Sequence, residues 1–126
     1  MPTKPILCVD DDERLRELLT AMLGLSDLEA ISVSAADEAL RMMERAQFSL
    51  YIIDSRRPGA SGLSLCEQIR AIDKDTPIII FSGHAHQSDI DAGMFAGANA
   101  YVVKPDSSAL IATVKRLLEG ARNATL

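Results

Sequence analysis

The sequence has few of the groups that most often announce a binding mode. It contains no tryptophan, and aromatic residues make up only 4% of the chain. A stacking platform for unpaired bases needs more than that. Two cysteines, Cys8 and Cys66, stand far apart, with no CxxC spacing and no cysteine-dense framework. Both fall inside apolar periodic segments and read as plain buried thiols. Basic residues are in the minority, 13 against 18 acidic ones, for a formal net charge of -5. Such a balance offers no broad positive surface to a nucleic-acid backbone or an anionic membrane, and neither is expected as a direct partner. The opening MPTKPILCVDDD lacks an apolar stretch of secretory length, and no later run would span a bilayer, so a cytoplasmic location is the expectation.

What is present suits one packed domain. At 126 residues with 48% hydrophobic content, the chain holds a single core and is too short for two. The whole of 1–126 is read as one domain with its core in about 5–120. Four-residue apolar runs recur at 6–9, 50–53, 78–81 and 100–103, and 28–33 is a further strand candidate. Between them the hydrophobic period changes to three and four. Leu15, Leu18, Leu19, Met22 and Leu23 form one helical stripe that stops near Gly24. Ala39, Leu40 and Met43 form a second, with Ser34 as its expected cap and Asp37 in the capping-box position. Leu63, Cys66 and Ile69 form a third. Residues 87–96 make a weaker helix interrupted by Gly93, with Gly97 ending it. Leu110, Ile111, Val114, Leu117 and Leu118 precede Gly120 in a fifth. Strands apolar on both faces, alternating with amphipathic helices, predict a doubly wound five-stranded parallel sheet covered by five helices.

Reactive residues then recur at one place in each unit, just past the end of a strand. Asp10 and Asp11 follow the first run, Asp54 the third, Ser82 and Gly83 the fourth and Lys104 the fifth. In an open α/β sheet those ends form the ligand crevice, so residues distant in sequence converge. Three crowded carboxyl groups repel one another unless a cation joins them. An all-oxygen, carboxylate-rich set suits Mg²⁺, Lys104 adds a positive charge suited to a phosphoryl group, and a carboxylate is itself a competent nucleophile. Simpler explanations cover some neighbours. Asp12 and Glu13 suit the amino end of a helix, Lys104 before Pro105 has a plain turn reading, and Ser82 alone is ambiguous. His84 and His86 read as solvent-facing loop residues with no third soft ligand near them, and Met42 as helix packing.

The segments ILCVDDD at 6–12, LYIIDSRRPGASG at 50–62, PIIIFSG at 77–83 and GANAYVVKP at 97–105, in this order and spacing, resemble the receiver domain of two-component response regulators. The resemblance covers essentially the whole chain and implies a flavodoxin-like fold. It implies that Asp54 accepts a phosphoryl group from a histidine kinase or phosphotransfer protein, in a Mg²⁺-dependent reaction reset by hydrolysis. By the same resemblance Asp11, Asp54 and the backbone carbonyl of Arg56 would hold the metal, with Asp10 acting mainly through water. Lys104 would pair with the acyl phosphate, Ser82 would move toward it, and Tyr101 would turn inward with Ser82. A downstream protein would read the surface of the fourth helix, fifth strand and fifth helix, and a homodimer is a further candidate assembly.

Three residues depart from the family pattern. Arg57 stands where an apolar residue usually precedes the proline, Arg56 lies two residues past the acceptor, and Asp106 replaces an aromatic residue after Lys-Pro. Arg56, Arg57, Gly83 and Asp106 are therefore expected modulators, Asp106 either as a helix cap or through the read-out surface. Competing classes are a phosphorylation-independent interaction module, the receiver part of a larger regulator, and a metal-dependent phosphatase. The last needs a second acid close after its nucleophile, and Ser55 and Arg56 do not provide one.

Overall fold

A computed structural model describes residues 4–55 and 62–124 of the chain, with side chains described through Ala121. Strands β1 (Ile6–Val9), β2 (Ala30–Val33), β3 (Leu50–Ile53), β4 (Ile78–Ser82) and β5 (Ala100–Val103) alternate with helices α1 (Glu13–Leu25), α2 (Ala36–Arg45), α3 (Gly62–Ile72), α4 (Gln87–Phe95) and α5 (Ser107–Ala124). The sheet is wholly parallel, in the order β2-β1-β3-β4-β5. This is the doubly wound, flavodoxin-like arrangement.

Alternation along each strand divides the core in two. Leu7, Val9, Tyr51, Ile53, Ile78 and Ile80 face α2 and α3 through Ala39, Leu65, Cys66 and Ile69. Ile6, Cys8, Leu50, Ile52, Ile79, Phe81 and Val102 face Leu19 and Leu23 of α1 and Leu110 and Val114 of α5. Each fully buried aliphatic side chain contributes roughly 2 kcal/mol. A one-residue slip would exchange the two faces, which fixes the register. Every residue of β1, β3 and β4 is buried. β2 and β5, at the two edges, are only half-buried along most of their length.

The helix ends differ from the expected ones for local reasons. α1 starts at the Asp12 cap, whose carboxylate accepts the amide protons of Arg14 and Leu15. It runs past Gly24 because its terminator is Asp27, held at φ 60. The Asp27 and Leu28 amides turn back onto the carbonyls of Gly24 and Leu23, a Schellman closure. That closure uses 26–28, so β2 starts only at Ala30. Ser34 does not cap α2. The N-cap is Ala35 without a side-chain bond, and the Ser34 hydroxyl donates to Glu38 instead. Leu18, assigned to the apolar stripe, is 50% exposed, since its place on α1 turns it past the sheet. α5 continues beyond Gly120, a position with open space where a Cβ would stand.

Candidate functional site

The parallel ladder assembles the site. Val9 and Ile53 are partners in the β1–β3 register, and the next residue on each strand is an aspartate. The Asp54 amide donates to the Val9 carbonyl at 3.0 Å, and the Asp10 amide to that of Val33 at 3.1 Å. Two carboxyl groups therefore leave adjacent strands side by side, where the chain reverses its winding direction. One strand further on, Ser82 pairs with Val103. The Lys104 amide donates to the Ser82 carbonyl at 2.8 Å, which delivers the lysine to the same edge.

Lys104 Nζ lies 2.9 Å from Asp10 Oδ2 and 3.6 Å from Asp54 Oδ2, and 5.8 Å from the centroid of the Phe81 ring. Carboxyl oxygens of Asp10, Asp11 and Asp54 all lie within 4.8 Å of one another. Asp10 and Asp54 are buried and Asp11 is exposed. Asp10 is oriented from several directions. Its Oδ1 accepts the Asp12 amide at 2.9 Å, its Oδ2 faces Lys104, and its carbonyl accepts an Arg16 guanidinium proton at 2.7 Å. Two carboxyl groups share a single ammonium and a third stands beside them, which leaves negative charge to be met, and the donors are all hard oxygens. The set fits a divalent cation of the Mg²⁺ type. Beneath the site, burial first and the Asp10 charge second push the Cys8 thiol up to about 12. Cys8 is thus a protonated spectator, and Cys66, raised by burial to about 11, is another.

Ser82 is completely buried. Its Oγ accepts a hydrogen bond from Ser55 Oγ at 2.6 Å and one from the His84 amide at 3.1 Å. The His84 carbonyl in turn accepts the Tyr101 hydroxyl at 2.8 Å. Ser55, Leu63, His84, Asp89, Ala92 and Tyr101 line a cavity of about 190 Å³ beside this chain of bonds. Two glycines permit the geometry. A Cβ on Gly62 would lie 1.9 Å from the Asp54 carbonyl oxygen, and one on Gly93 would lie 2.8 Å from Ile80 Cδ1 and 3.0 Å from the Tyr101 ring. Gly93 therefore does not interrupt α4; it lets the helix press against β4 and β5.

Asp10, Asp11, Asp54, Ser82 and Lys104, expected at one edge from the sequence, are brought together there, and Tyr101 is linked to them through His84. Asp106 serves as a cap for α5, its Oδ1 accepting the Ala109 amide at 2.9 Å. Gly83 is exposed, with open space where a Cβ would stand. His86 is exposed as expected, whereas His84 is half-buried and its backbone is bonded at both ends. Met42 and Met43 pack against the core. The expected roles of Arg56 and Arg57 fall outside the described residues. Reasoning from sequence missed Ser55, Gly62 and Arg16. Only the glycine left a trace, as part of the turn-rich PGASG.

The model of the "Response regulator receiver domain" family matches residues 6–115. A response regulator receiver domain protein from Methanospirillum hungatei is 27% identical and superposes with a TM-score of 0.91, covering 98% of this chain and 99% of its own. The response regulator protein TrrA from Thermotoga maritima, solved in complex with Mg(2+)-BeF, is 36% identical with a TM-score of 0.82, over 91% of this chain and 99% of that one. Among curated proteins, the regulatory protein VanR of Enterococcus faecium is 36% identical over 115 residues, 90% of this chain and 49% of VanR. The chain spans about half the length of the curated relatives it matches.

Proposed function

The chain belongs to the response regulator receiver family, a family of phosphoacceptor signalling domains, and from that premise we propose that Asp54 is its phosphoacceptor, with Lys104 and Ser82 as the groups that handle the phosphoryl oxygens. The observation that carries this reading is the Lys104 ammonium set between Asp10 and Asp54, 2.9 and 3.6 Å from their oxygens. A cation so placed faces an oxygen attached to Asp54 without any rearrangement of the sheet.

Receiver domains as a class take their phosphoryl group from histidine kinases or phosphotransfer proteins and catalyse their own phosphorylation and reset. In the forward step an Asp54 carboxylate oxygen attacks phosphorus. The phosphorus–nitrogen bond of a phosphohistidine breaks, and the leaving imidazole keeps the bonding pair and takes a proton. In the reset a water oxygen attacks phosphorus, the Asp54 oxygen–phosphorus bond breaks, and carboxylate and inorganic phosphate are released. Both steps depend mainly on positioning and electrostatics. Lys104 moves from the two carboxylates toward the added oxygens, and Ser82 donates its hydroxyl to one of them. Asp11, Asp54 and the Arg56 carbonyl would hold Mg²⁺, with Asp10 acting through water. The ion would neutralise charge on the transferring group.

Tyr101, bonded to the loop that follows Ser82, follows the serine and alters the surface of α4, β5 and α5. Met94 and Phe95 at the end of α4 are exposed apolar side chains, Phe95 to 95%, which supports a protein partner at that end. Spanning half the length of its relatives supports a place as the receiver part of a larger regulator. Among the described residues no helix is long and apolar enough to cross a membrane, and two protonated, buried cysteines suit a reducing cytoplasm.

The test is intact mass spectrometry after incubation with Mg²⁺ and a small phosphodonor. One phosphoryl adduct is expected, absent without Mg²⁺ and absent in Asp54→Asn. An adduct that survives in Asp54→Asn would overturn the assignment.

A further inference from the structure

We propose that Ser55 is a positioning residue that holds Ser82 in its resting place and thereby sets how readily the domain switches. The inference rests on the reading of Asp54 as acceptor and Ser82 as the moving hydroxyl, and it adds a residue that neither motif nor composition marks.

Ser82 is fully buried, so its hydroxyl does not exchange partners with bulk water and its bonds are made by the protein. Its oxygen accepts from Ser55 at 2.6 Å and from the His84 amide at 3.1 Å. Two donors fill both acceptor sites of a hydroxyl oxygen. The Ser55 bond is at the short end of the range for O–H···O, while the His84 bond is of ordinary length. On that reading Ser82 carries its oxygen toward a phosphoryl group on Asp54, and the move gives up its bonds to these donors. The resting arrangement is stabilised by what those bonds contribute, and the shorter is Ser55's.

Ser55 is well placed to act in this way. It directly follows Asp54, and its carbonyl accepts the Gly62 amide at 3.1 Å. Gly62 is pressed so closely against Asp54 and Ser55 that no side chain fits there. The hydroxyl of Ser55 is thus presented from a backbone fixed independently of Ser82. Beyond Ser82, the His84 peptide is held through its amide by Ser82 and through its carbonyl by Tyr101. A continuous chain runs from Ser55 through Ser82 and His84 to Tyr101, from the residue beside the acceptor to the β5 face. Release of Ser82 by Ser55 loosens the His84 peptide, and with it the anchor of Tyr101.

The experiment combines resting and activated states of the whole chain. In the resting protein, amide hydrogen exchange at His84 is expected to quicken about five-fold in Ser55→Ala, the worth of one net hydrogen bond. Ser55→Thr, which keeps a hydroxyl, is expected to restore it. With Mg²⁺ and beryllofluoride as a phosphoryl mimic, Ser55→Ala is expected to bind the mimic about five-fold more tightly, because less stabilisation of the resting state is given up. In a Ser82→Ala background the Ser55 substitution is expected to change neither quantity. Unchanged exchange in Ser55→Ala, an equal acceleration without Ser82, or faster exchange with unaltered mimic affinity would each overturn the proposal. Wild-type protein that does not bind beryllofluoride would instead retire the Asp54 reading, and the exchange data would still decide whether Ser55 holds Ser82.

Discussion

Both ends of the parallel sheet gather polar side chains, and they satisfy them in opposite ways. At the amino end Arg70 of α3 ties together the loops that precede β4 and β5. Its Nε donates to the Gly97 carbonyl at 2.8 Å, and Nη1 donates to the carbonyls of Asp73 and Thr76 at 3.1 and 2.7 Å. Nη2 donates to Asn99 Oδ1 at 2.5 Å. Asn99 Oδ1 also accepts the Ile78 amide at 2.8 Å, which starts β4. Gly97, at φ +118, leaves room for the Arg70 stem. At the carboxyl end three carboxyl groups crowd together and two of them share one lysine. The first cluster is complete in the folded chain; the second has charge left to be met by a metal ion or a phosphoryl oxygen. Polarity matched within the fold stabilises it, whereas polarity left in surplus at a strand end is available for chemistry.

Substitutions at the two ends sharpen that contrast. Arg70→Met removes a group that bonds three carbonyls and an amide, and should lower stability by about 3 kcal/mol in urea unfolding, with phosphorylation chemistry per folded molecule little changed. Gly62→Ala drives a methyl group into the Asp54 carbonyl. A loss of about 2 kcal/mol is expected, together with slower phosphorylation, because the acceptor backbone must shift. Asp54→Asn works in the other direction. It relieves repulsion among the carboxyl groups and should raise metal-free stability by about 1 kcal/mol, while reducing the gain in melting temperature that Mg²⁺ gives the wild type. A destabilised Asp54→Asn would break the comparison.

The smallest effect concerns Asp73. Its modest burial acts to raise the carboxyl pKa, but the Thr76 side chain, the Thr76 and Asp75 amides and Arg70 hold it below its ordinary 3.8. A carboxyl with a depressed folded pKa contributes stability above its unfolded value, and that contribution is lost as pH falls through the folded value. The stability difference between wild type and Asp73→Asn should therefore be constant near neutrality and shrink below about pH 4, as followed by urea titration across pH.

Most of the frame was legible in the chain. β1, β3 and β4 read directly because four apolar residues each end abruptly in Asp10, Asp54 or Ser82, a pattern that buried parallel strands require. The convergence of Asp10, Asp11, Asp54, Ser82 and Lys104 followed from topology alone. What did not read directly depends on contacts across the fold. Ser34 looked like a cap, yet the helix took Ala35, and capping preference is weak against the path of the preceding strand. Gly93 looked like a flaw in α4 until Tyr101 and Ile80 stood against it. Arg70 gives no local sign, because its partners lie in loops up to 29 residues away. Ser55 is a small polar residue in a turn-rich stretch, and its partner Ser82 stands 27 positions along the chain.

Asp54 as the phosphorylated group is tested most directly by chemical trapping. Borohydride reduces an aspartyl phosphate to homoserine, which peptide mapping by mass spectrometry locates by position. After treatment with Mg²⁺ and a small phosphodonor, homoserine is expected at position 54 alone. Homoserine at position 10 or 11, or a stable phosphoryl group on Ser82 or Ser55, would contradict it.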